Sequence, residues 1–204
     1  MGIKKESSEV RREQIVNAAI AIIGNEGISS FTTARVAKEV GISEANLYRH
    51  FKNKDAIITA VIESVEDTLI WNVEGIREER LPGIEKMERI FKMHLRYIQE
   101  NNGIPRIVFS SECLFVKGLQ KKILSFVNLY MKKLGEVIEE GIKDGSIKDS
   151  VNAEAQATIL VGMIQFNALR WLLSGFKYSL AEKGEKLWTS YRKNLEVKKK
   201  RSLV

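Results

Sequence analysis

The segment from Thr32 to Lys54 carries side chains whose chemistry suits hydrogen bonding to nucleic acid. In the major groove of duplex DNA, an amide side chain pairs well with adenine and a guanidinium group with guanine. Guanidinium, hydroxyl, imidazole and ammonium groups also donate to phosphate oxygens. We therefore predict a DNA-contacting surface in which Asn46 is suited to an adenine. The residues assigned to this surface are Thr32, Thr33, Arg35, Ser43, Glu44, Ala45, Asn46, Tyr48, Arg49, His50 and Lys54.

Two short helices joined by a tight turn are needed to present these side chains. In the first helix, Val36 and Val40 lie one turn apart on an apolar stripe. Thr32 or Thr33 offers a side-chain oxygen to the free amide groups at its N-terminus. Gly41 is predicted to end this helix, because glycine enters the left-handed conformation of a helix C-terminus without steric cost.

The second helix is predicted to begin after Ser43, which is a suitable N-cap residue. Leu47 and Phe51 are four residues apart, so they hold this helix against the rest of the domain and leave its other faces free. A helix that reads the major groove uses such faces, and its first turn comes closest to the bases. Asn53 is suited to cap a further helix that begins at Lys54.

From about Arg12 to Ile58, the chain resembles the N-terminal domain of TetR-type transcriptional regulators. The positions that carry this resemblance are Ile15, Ala18, Ala19, Gly27, Thr32, Thr33, Ala37, Gly41, Ile42, Ser43, Leu47, Tyr48, His50, Phe51 and Lys54. The resemblance implies a homodimer whose two N-terminal domains bind adjacent major grooves of a partly palindromic operator in double-stranded DNA. It also implies a larger C-terminal helical domain that binds a small-molecule effector and thereby lowers the affinity for DNA.

Helical periodicity runs along the chain, and the alternation typical of strands is absent from its sequence. We predict an all-α fold. Residues 1–53 form a three-helix DNA-binding domain with the helix-turn-helix, and residues 54–197 form a helical bundle for ligand binding and dimerisation. Residues 198–204 form a basic, disordered tail. Apolar residues from Ile58 to Leu69 predict a long helix that leaves the DNA-binding domain and acts as a lever between the two parts.

Composition excludes some classes of protein. The 204 residues are 44% hydrophobic, which is enough for a globular core. The sequence has neither an apolar stretch of membrane-spanning length nor the hydrophobic region of a signal peptide, so we expect a cytoplasmic protein without membrane contact. We expect no metal or other cofactor, since no Cys/His cluster has zinc-ligand spacing. Cys113 is either a redox-sensitive thiol or, as its apolar neighbours favour, a buried and inert one.

Most of the net charge of +7 lies away from the predicted DNA-contacting surface. Residues 1–58 contain nine Lys/Arg and seven Asp/Glu, whereas residues 192–201 contain six Lys/Arg and one Glu. The basic tail either touches DNA or an acidic partner or, as we favour, is a solvated end. Near the N-terminus, basic residues either form an arm that reaches DNA or belong to a frayed terminus. These residues are Lys4, Lys5, Arg11 and Arg12.

An effector site is predicted between core helices, where bundle proteins place their ligands. Its candidate residues are Met87, Phe91, His94, Phe109, Cys113, Phe126, Tyr130, Met163, Phe166 and Arg170. Their character indicates a hydrophobic or aromatic effector, and the run IPRIVFSSE faintly resembles regulators that respond to lipid-like compounds. Core packing explains the apolar residues too and is favoured for any one of them. His94 and Arg170 either orient a ligand, lie at the surface or pair with a carboxylate.

The last two predicted helices are suited to dimerisation. Between Asn152 and Ser174, apolar residues occur almost all round the helix, so this helix should be buried on more than one side. Ser179 and Glu182 have capping-box spacing at the start of the final helix, which has one apolar stripe. We predict that both helices pack against their copies in a second subunit. The residues assigned to this interface are Leu160, Ile164, Trp171, Leu187, Trp188 and Tyr191.

The favoured function is a DNA-binding transcriptional repressor that a small hydrophobic or aromatic effector releases from its operator. An architectural or occlusion protein would use the same DNA-binding fold without an effector. An enzyme is disfavoured, because catalysis needs converging His, Cys, Ser or carboxylate groups, and the two histidines lie in separate predicted domains. The sequence also has no phosphate-binding glycine loop and no nucleophile elbow, so we predict no catalytic residue.

Overall fold

The computed structural model describes residues 7–111, 113 and 116–197, and confirms the predicted all-α fold. The α-helices described are α1 (Ser8–Glu26), α2 (Thr33–Val40), α3 (Glu44–Tyr48), α4 (Lys54–Arg77), α5 (Gly83–Glu100), α6 (Gly103–Val108), α7 (Leu119–Lys143), α8 (Ala153–Leu173) and α9 (Leu180–Leu195). A 3₁₀ helix at Ile28–Ser30 follows α1, and an isolated antiparallel bridge joins Ile147 and Glu196. The predicted tail at 198–204 lies outside the described residues.

Local capping sets the ends of the helix-turn-helix, as predicted. Thr32 is the N-cap of α2, and its side chain accepts a hydrogen bond from the amide of Arg35 at 3.1 Å. Gly41 ends α2 in the left-handed conformation, with a φ of 73°. Ser43 accepts from the amide of Asn46 at 3.1 Å and begins α3. The turn between the two helices is therefore encoded by side chains next to it in the sequence.

The described chain divides into two compact units, and their boundary differs from the one predicted after residue 53. The first unit contains the described residues up to Asp67 together with those of Glu100–Leu124, and the second contains the rest. The first turns of α4 fall in the first unit because their apolar side chains are buried. Ile57, Ile58 and Val61 are each at most 1% exposed. The start of α4 is thus part of the core beneath the helix-turn-helix.

Helices α1 and α6 pack backbone to backbone within the first unit. A Cβ atom on Gly103 would lie 2.1 Å from the carbonyl oxygen of Ile20, and one on Gly24 would lie 1.9 Å from Oδ1 of Asn102. Both distances are far below van der Waals contact. A side chain at Gly103 would force the helices apart, whereas one at Gly24 would first displace the side chain of Asn102. Although α6 lies in the predicted C-terminal part of the chain, it therefore belongs to the core around α1.

An ion-pair cluster joins α4, α5 and α7 in the second unit. The guanidinium group of Arg77 donates to Glu140 at 2.8 and 3.0 Å and to Glu136 at 2.6 Å. Lys86, which is almost buried, donates to the backbone carbonyl of Arg77 at 2.7 Å and pairs with Glu140 at 3.2 Å. Loss of one partner would leave a poorly solvated charge, so the cluster fixes the relative positions of these three helices.

Gly83→Ala is expected to lower the free energy of unfolding by about 1–3 kcal/mol, while Gly135→Ala is neutral or stabilises by up to about 1 kcal/mol. A Cβ atom on Gly83 would lie 2.3 Å from Cα of Gly141, so α5 and α7 would have to separate. At Gly135, also in α7, no heavy atom lies within 4 Å of the added carbon. Urea denaturation at equal protein concentration measures both effects. Equal stability of the two variants would contradict the close contact.

Candidate nucleic-acid interface

Helix α3 presents most of its side chains to solvent. Within it the buried residue is Leu47, and the next buried side chain along the sequence is Phe51. Every residue predicted to contact DNA between Thr32 and Lys54 is at least partly exposed. A major groove admits a helix, so this exposed face has the dimensions and the accessibility that base reading requires.

A carboxylate lies between two hydroxyl groups on this surface. Thr33 donates to Oε1 of Glu44 at 2.6 Å, and the hydroxyl oxygens of Thr33 and Tyr48 are 3.2 Å apart. The hydroxyl of Tyr48 also lies 3.5 Å from the same carboxylate oxygen. Glu44 thus aligns two hydroxyl groups that suit phosphate oxygens. Its own negative charge opposes the close approach of a phosphate, so the alignment carries an electrostatic cost.

Arg35 has two carboxylate partners that the sequence prediction did not include. It donates to Glu26, the last residue of α1, at 2.6 Å and to Glu39 at 2.7 Å. Hydrogen bonds to Glu26 and then to Glu39 raise the pKa of Arg35. A guanine or phosphate would have to use the N–H groups that these carboxylates leave free or displace one of the carboxylates. The spacing of Arg35 and Glu39 is visible in the sequence as an i,i+4 pair, whereas no local signal places Glu26 beside them.

The first turns of α1 contact the residues that follow α3. Oγ of Ser8 lies 3.3 Å from Nδ1 of His50, and Arg12 donates to the backbone carbonyl of His50 at 2.5 Å. The guanidinium carbon of Arg12 lies 4.1 Å from the centre of the Phe51 ring. Burial lowers the pKa of His50, and the charges of nearby arginines lower it further, so the ring is neutral at pH 7.

Two of the basic residues near the N-terminus belong to a helix, so the frayed-terminus alternative is wrong for them, while their contact with DNA stays a prediction. Arg11 and Arg12 lie in α1, whose N-cap Ser7 accepts from the amide of Val10 at 3.2 Å. That cap starts the helix ahead of the arginines and orders their backbone. The remaining basic residues of this group, Lys4 and Lys5, lie outside the described residues, as does the basic tail.

The residues predicted for an effector site are found in different environments. Four are buried in the second unit: Met87, Phe91, His94 and Tyr130. Two others in that unit are half-buried: Phe126 and Met163. Phe166 departs from the predicted position between core helices, because its side chain is exposed on α8. Arg170 is also exposed on α8, which agrees with the surface alternative considered for it. Phe109 is partly exposed and belongs to the first unit, as does the buried Cys113.

A cavity of about 630 Å³ in the second unit lies between α7 and the start of α8. It is lined by Asn128, Met131, Lys132, Gly135, Glu136, Glu139, Ala153 and Glu154. None of the residues predicted for the effector site is among them, so those contacts stay a prediction. Cys113 is fully buried, and burial raises the pKa of its thiol, which favours the inert interpretation.

His94 and Tyr130 form a buried polar pair in the second unit, which differs from the surface and carboxylate alternatives considered for His94. Nδ1 of His94 lies 2.9 Å from the hydroxyl oxygen of Tyr130, and the rings meet edge to face. Burial lowers the pKa of His94 to about 4 and raises the pKa of Tyr130. Both groups are therefore neutral at pH 7 and satisfy each other in the core.

Burial within one subunit corrects the predicted dimer interface. Except for the half-buried Leu187, the residues assigned to it are buried in the single chain: Leu160, Ile164, Trp171, Trp188 and Tyr191. The ring of Trp188 lies 5.7 Å from that of Phe91, and Tyr191 donates to the carbonyl of Gln156 at 2.8 Å. These side chains fill their own subunit's core. The sequence showed that α8 is apolar almost all round, but it did not show which of its faces points into the core of the subunit.

Neither a metal centre nor a membrane span accompanies this surface in the described chain. Across residues 7–111, 113 and 116–197, no group of three or more His, Cys, Asp or Glu side chains is placed to hold a metal ion. Among the helices that the structure describes, none is both long and apolar enough to cross a membrane.

A short, exposed helix at the end of a capped turn, surrounded by hydroxyl, amide and basic groups, defines a helix-turn-helix DNA-binding protein. A sequence profile of bacterial regulatory proteins of the tetR family matches residues 15–61. A second profile, that of the C-terminal region of YsiA-like proteins, matches residues 65–191. The chain belongs to the TetR family of DNA-binding transcriptional regulators, which confirms the resemblance seen in the sequence.

The individual proteins described next are each less than 30% identical to this chain. The nucleoid occlusion factor SlmA of Aliivibrio fischeri is 27% identical over 183 residues, which cover 87% of this chain and 92% of SlmA. The fatty acid degradation regulator FadR from Bacillus halodurans has a TM-score of 0.77 at 19% identity, over 92% of this chain and 96% of FadR. FadR from Bacillus subtilis, solved in complex with stearoyl-CoA, has a TM-score of 0.74 at 21% identity, over 89% of this chain and 98% of that FadR. These structures establish the fold. The relatives are regulators and an occlusion factor, which agrees with a protein that is not an enzyme.

The stability of the second unit is expected to fall between pH 6.5 and pH 4 because of His94. Its pKa is about 4 in the folded chain, against about 6.5 when unfolded. The unfolded state therefore binds the proton more tightly, and the stability present above pH 6.5 is lost as the pH falls through this range. The loss reaches about 3 kcal/mol at pH 4.

An NMR titration of the two histidine rings, with urea denaturation at each pH, measures this effect. The His94 ring signal is expected to stay that of neutral imidazole down to about pH 5, and His94→Gln should remove part of the pH dependence of stability. His50→Gln is the comparison, because His50 lies in the first unit and its own lowered pKa acts there. Titration of His94 near its ordinary pKa would contradict the burial.

Proposed function

We propose that this chain is a transcriptional repressor that binds a partly palindromic operator as a homodimer and leaves it when a small hydrophobic effector binds. The observation that carries the proposal is the exposed face of α3, which follows a capped turn and is surrounded by groups that bind bases and phosphates. Membership of the TetR family supports DNA binding through this domain.

Within this proposal, the surface residues have two roles. Asn46 lies in the first turn of α3 and reads a base, for which adenine is the partner with matching donor and acceptor groups. Tyr48 and Lys54 bind phosphate and set the register on the duplex. Lys54 is the first residue of α4, where free amide groups also favour an anion. Each of the other residues assigned to this surface, including Arg35, is proposed to contact either a base or a phosphate.

A hydrophobic effector is proposed to bind the second unit better in the arrangement that does not fit DNA. It shifts the population only by that difference in affinity. Fatty-acyl compounds are the first class to test, because FadR from Bacillus subtilis, which has the same fold, was solved with stearoyl-CoA. The apolar side chains of Met87, Phe91 and Phe126 are in keeping with an effector of this class.

The dimer is proposed to form through the outward face of α8. Ile159, Phe166 and Leu173 are exposed by 47%, 61% and 77% in the single chain, and each is seven residues from the next. That spacing places them on one side of the helix, along a stripe about 20 Å long. Gly162 lies between the first two and has no neighbouring atom at its Cβ position, so the backbone of a second helix can approach there. A second copy of α8 would cover this stripe.

Selection of tight binders from a random duplex pool, at two salt concentrations, tests sequence-specific DNA binding. A palindromic motif with half-sites about one helical turn or more apart is expected. Asn46→Ala should relax the preference at one base pair per half-site, at a cost of about 1–3 kcal/mol in discrimination. Tyr48→Phe, which removes one hydroxyl group, should weaken all duplexes alike. Recovery of no motif, with weak binding that disappears at higher salt, would contradict the proposal.

The selected duplex then tests the effector. A long-chain acyl-CoA is expected to lower the affinity for it at least tenfold, while free coenzyme A, which lacks the acyl chain, has no effect. If no compound of a broad hydrophobic panel changes the affinity, the protein is instead an effector-independent architectural or occlusion protein. The 27% identity to SlmA, a nucleoid occlusion factor, supports this second candidate.

Phe166→Glu is expected to weaken dimerisation at least tenfold, because it places a charge in the middle of the apolar stripe. Leu124→Glu is the matched control, since Leu124 is also 61% exposed but lies on α7. Sedimentation or light scattering over a range of protein concentrations measures the dimer affinity of both variants. A wild-type chain that is monomeric at micromolar concentration, or equal dimer affinities for the two variants, would refute the interface.

A further inference from the structure

Helix α3 is too short to set its own direction. It contains five residues, Glu44–Tyr48, which corresponds to about 7 Å of helix. Leu47 is its one buried side chain, and Glu44 and Tyr48 are hydrogen-bonded to Thr33 of α2 through side chains that solvent can reach. A base contact requires the helix axis to be fixed as well. Water competes for these exposed hydrogen bonds, so an anchor at one end of α3 would fix the axis more firmly.

The end of α3 is anchored by a residue from α1. The last carbonyl groups of a helix have no partner within it, and basic side chains commonly bind them. The carbonyl of His50, two residues beyond α3, accepts from Nη1 of Arg12 at 2.5 Å. Oγ of Ser8, one turn earlier in α1, lies 3.3 Å from the ring of the same histidine. Two residues of one helix thus contact His50 together.

Arg12 also contacts the next buried side chain. Its guanidinium carbon lies 4.1 Å from the centre of the Phe51 ring, and Phe51 is 2% exposed. A planar guanidinium group can stack on a ring and donate in its own plane at the same time, which an ammonium group cannot do as well. Arg12 therefore contacts both the backbone carbonyl of His50 and the buried ring of Phe51, which follow α3.

We propose that Arg12 is a positioning residue for DNA recognition, which fixes the direction of α3 and so sets sequence discrimination, and that it does not act as a phosphate contact. This inference rests on the proposed sequence-specific binding. The two roles make different predictions, because a phosphate contact strengthens binding to every sequence, whereas a positioning residue strengthens binding to the correct one.

The geometry around Arg12 supplies a matched control. An open cavity of about 560 Å³ is lined by Arg12 and by the residues that follow α3, including Lys52. Lys52 is exposed and has the same charge as Arg12. Because Lys52 follows Phe51 directly in the chain, it cannot link the end of α3 to another helix as Arg12 does. Lys52→Met therefore removes one charge without removing the anchor.

The experiment compares Arg12→Met and Lys52→Met with wild-type protein. Affinities for the selected duplex and for a scrambled duplex are measured across a range of salt concentrations. Arg12→Met is expected to lower the ratio of specific to non-specific affinity at least tenfold while the salt dependence of non-specific binding stays unchanged. Lys52→Met is expected to leave the ratio unchanged. Arg12→Lys, which keeps a donor but not the stacking plane, should recover part of the ratio.

Equal weakening of both duplexes by Arg12→Met, with a salt slope reduced by about one, would make Arg12 a phosphate contact and overturn the proposal. Amide hydrogen exchange of the free, folded variants gives a second readout that does not depend on DNA. Exchange at residues 47–51 should accelerate in Arg12→Met but not in Lys52→Met, and unchanged exchange would overturn the anchor. A wild-type chain without sequence preference would refute the proposed function, while the exchange data would still decide whether Arg12 anchors α3.

Discussion

The direction of a five-residue helix is the constraint on which DNA recognition by this chain depends. α3 has one buried side chain, so its orientation must come from what precedes and follows it. The left-handed turn at Gly41 and the cap at Ser43 set where it begins. Beyond its end, the buried ring of Phe51 and the cap of α4 by Asn53 set where the chain goes next. Much of the first unit therefore serves to hold the five residues of α3 in place.

Part of the charge on the DNA-contacting surface is paired, although five Lys/Arg outnumber two Glu between Ser29 and Lys54. Arg35 lies between two carboxylates, and Glu44 holds the hydroxyl groups of Thr33 and Tyr48. Affinity for any duplex comes mainly from neutralising phosphates, so the pairing of Arg35 lowers what this residue adds to non-specific binding. Discrimination then depends more on the geometry of α3 than on the net charge of the chain. The basic residues counted in the sequence are therefore a poor measure of how the surface binds.

Helix α8 of the second unit fills the core of its own subunit with one face and presents apolar side chains to solvent with another. α8 buries Leu160 and Ile164 in the core of its own subunit and exposes Phe166 and Leu173 on the opposite side. An exposed apolar stripe favours association with another apolar surface, which is the physical basis for the proposed dimer. The buried pair of His94 and Tyr130 shows that polar groups enter this core when each satisfies the other.

The sequence by itself determined the helical fold, the family and the helix-turn-helix, because caps such as Thr32 and Gly41 and the 3.6-residue period act between residues close together in the chain. Tertiary structure alone decided the pairing of Arg35 with Glu26, the contact of Arg12 with His50, the inward face of α8 and the place of α6 beside α1. Each of these joins residues far apart in sequence or depends on which side of a helix is buried. A local pattern of residue types contains neither kind of information, because distance and burial exist only once the chain has folded.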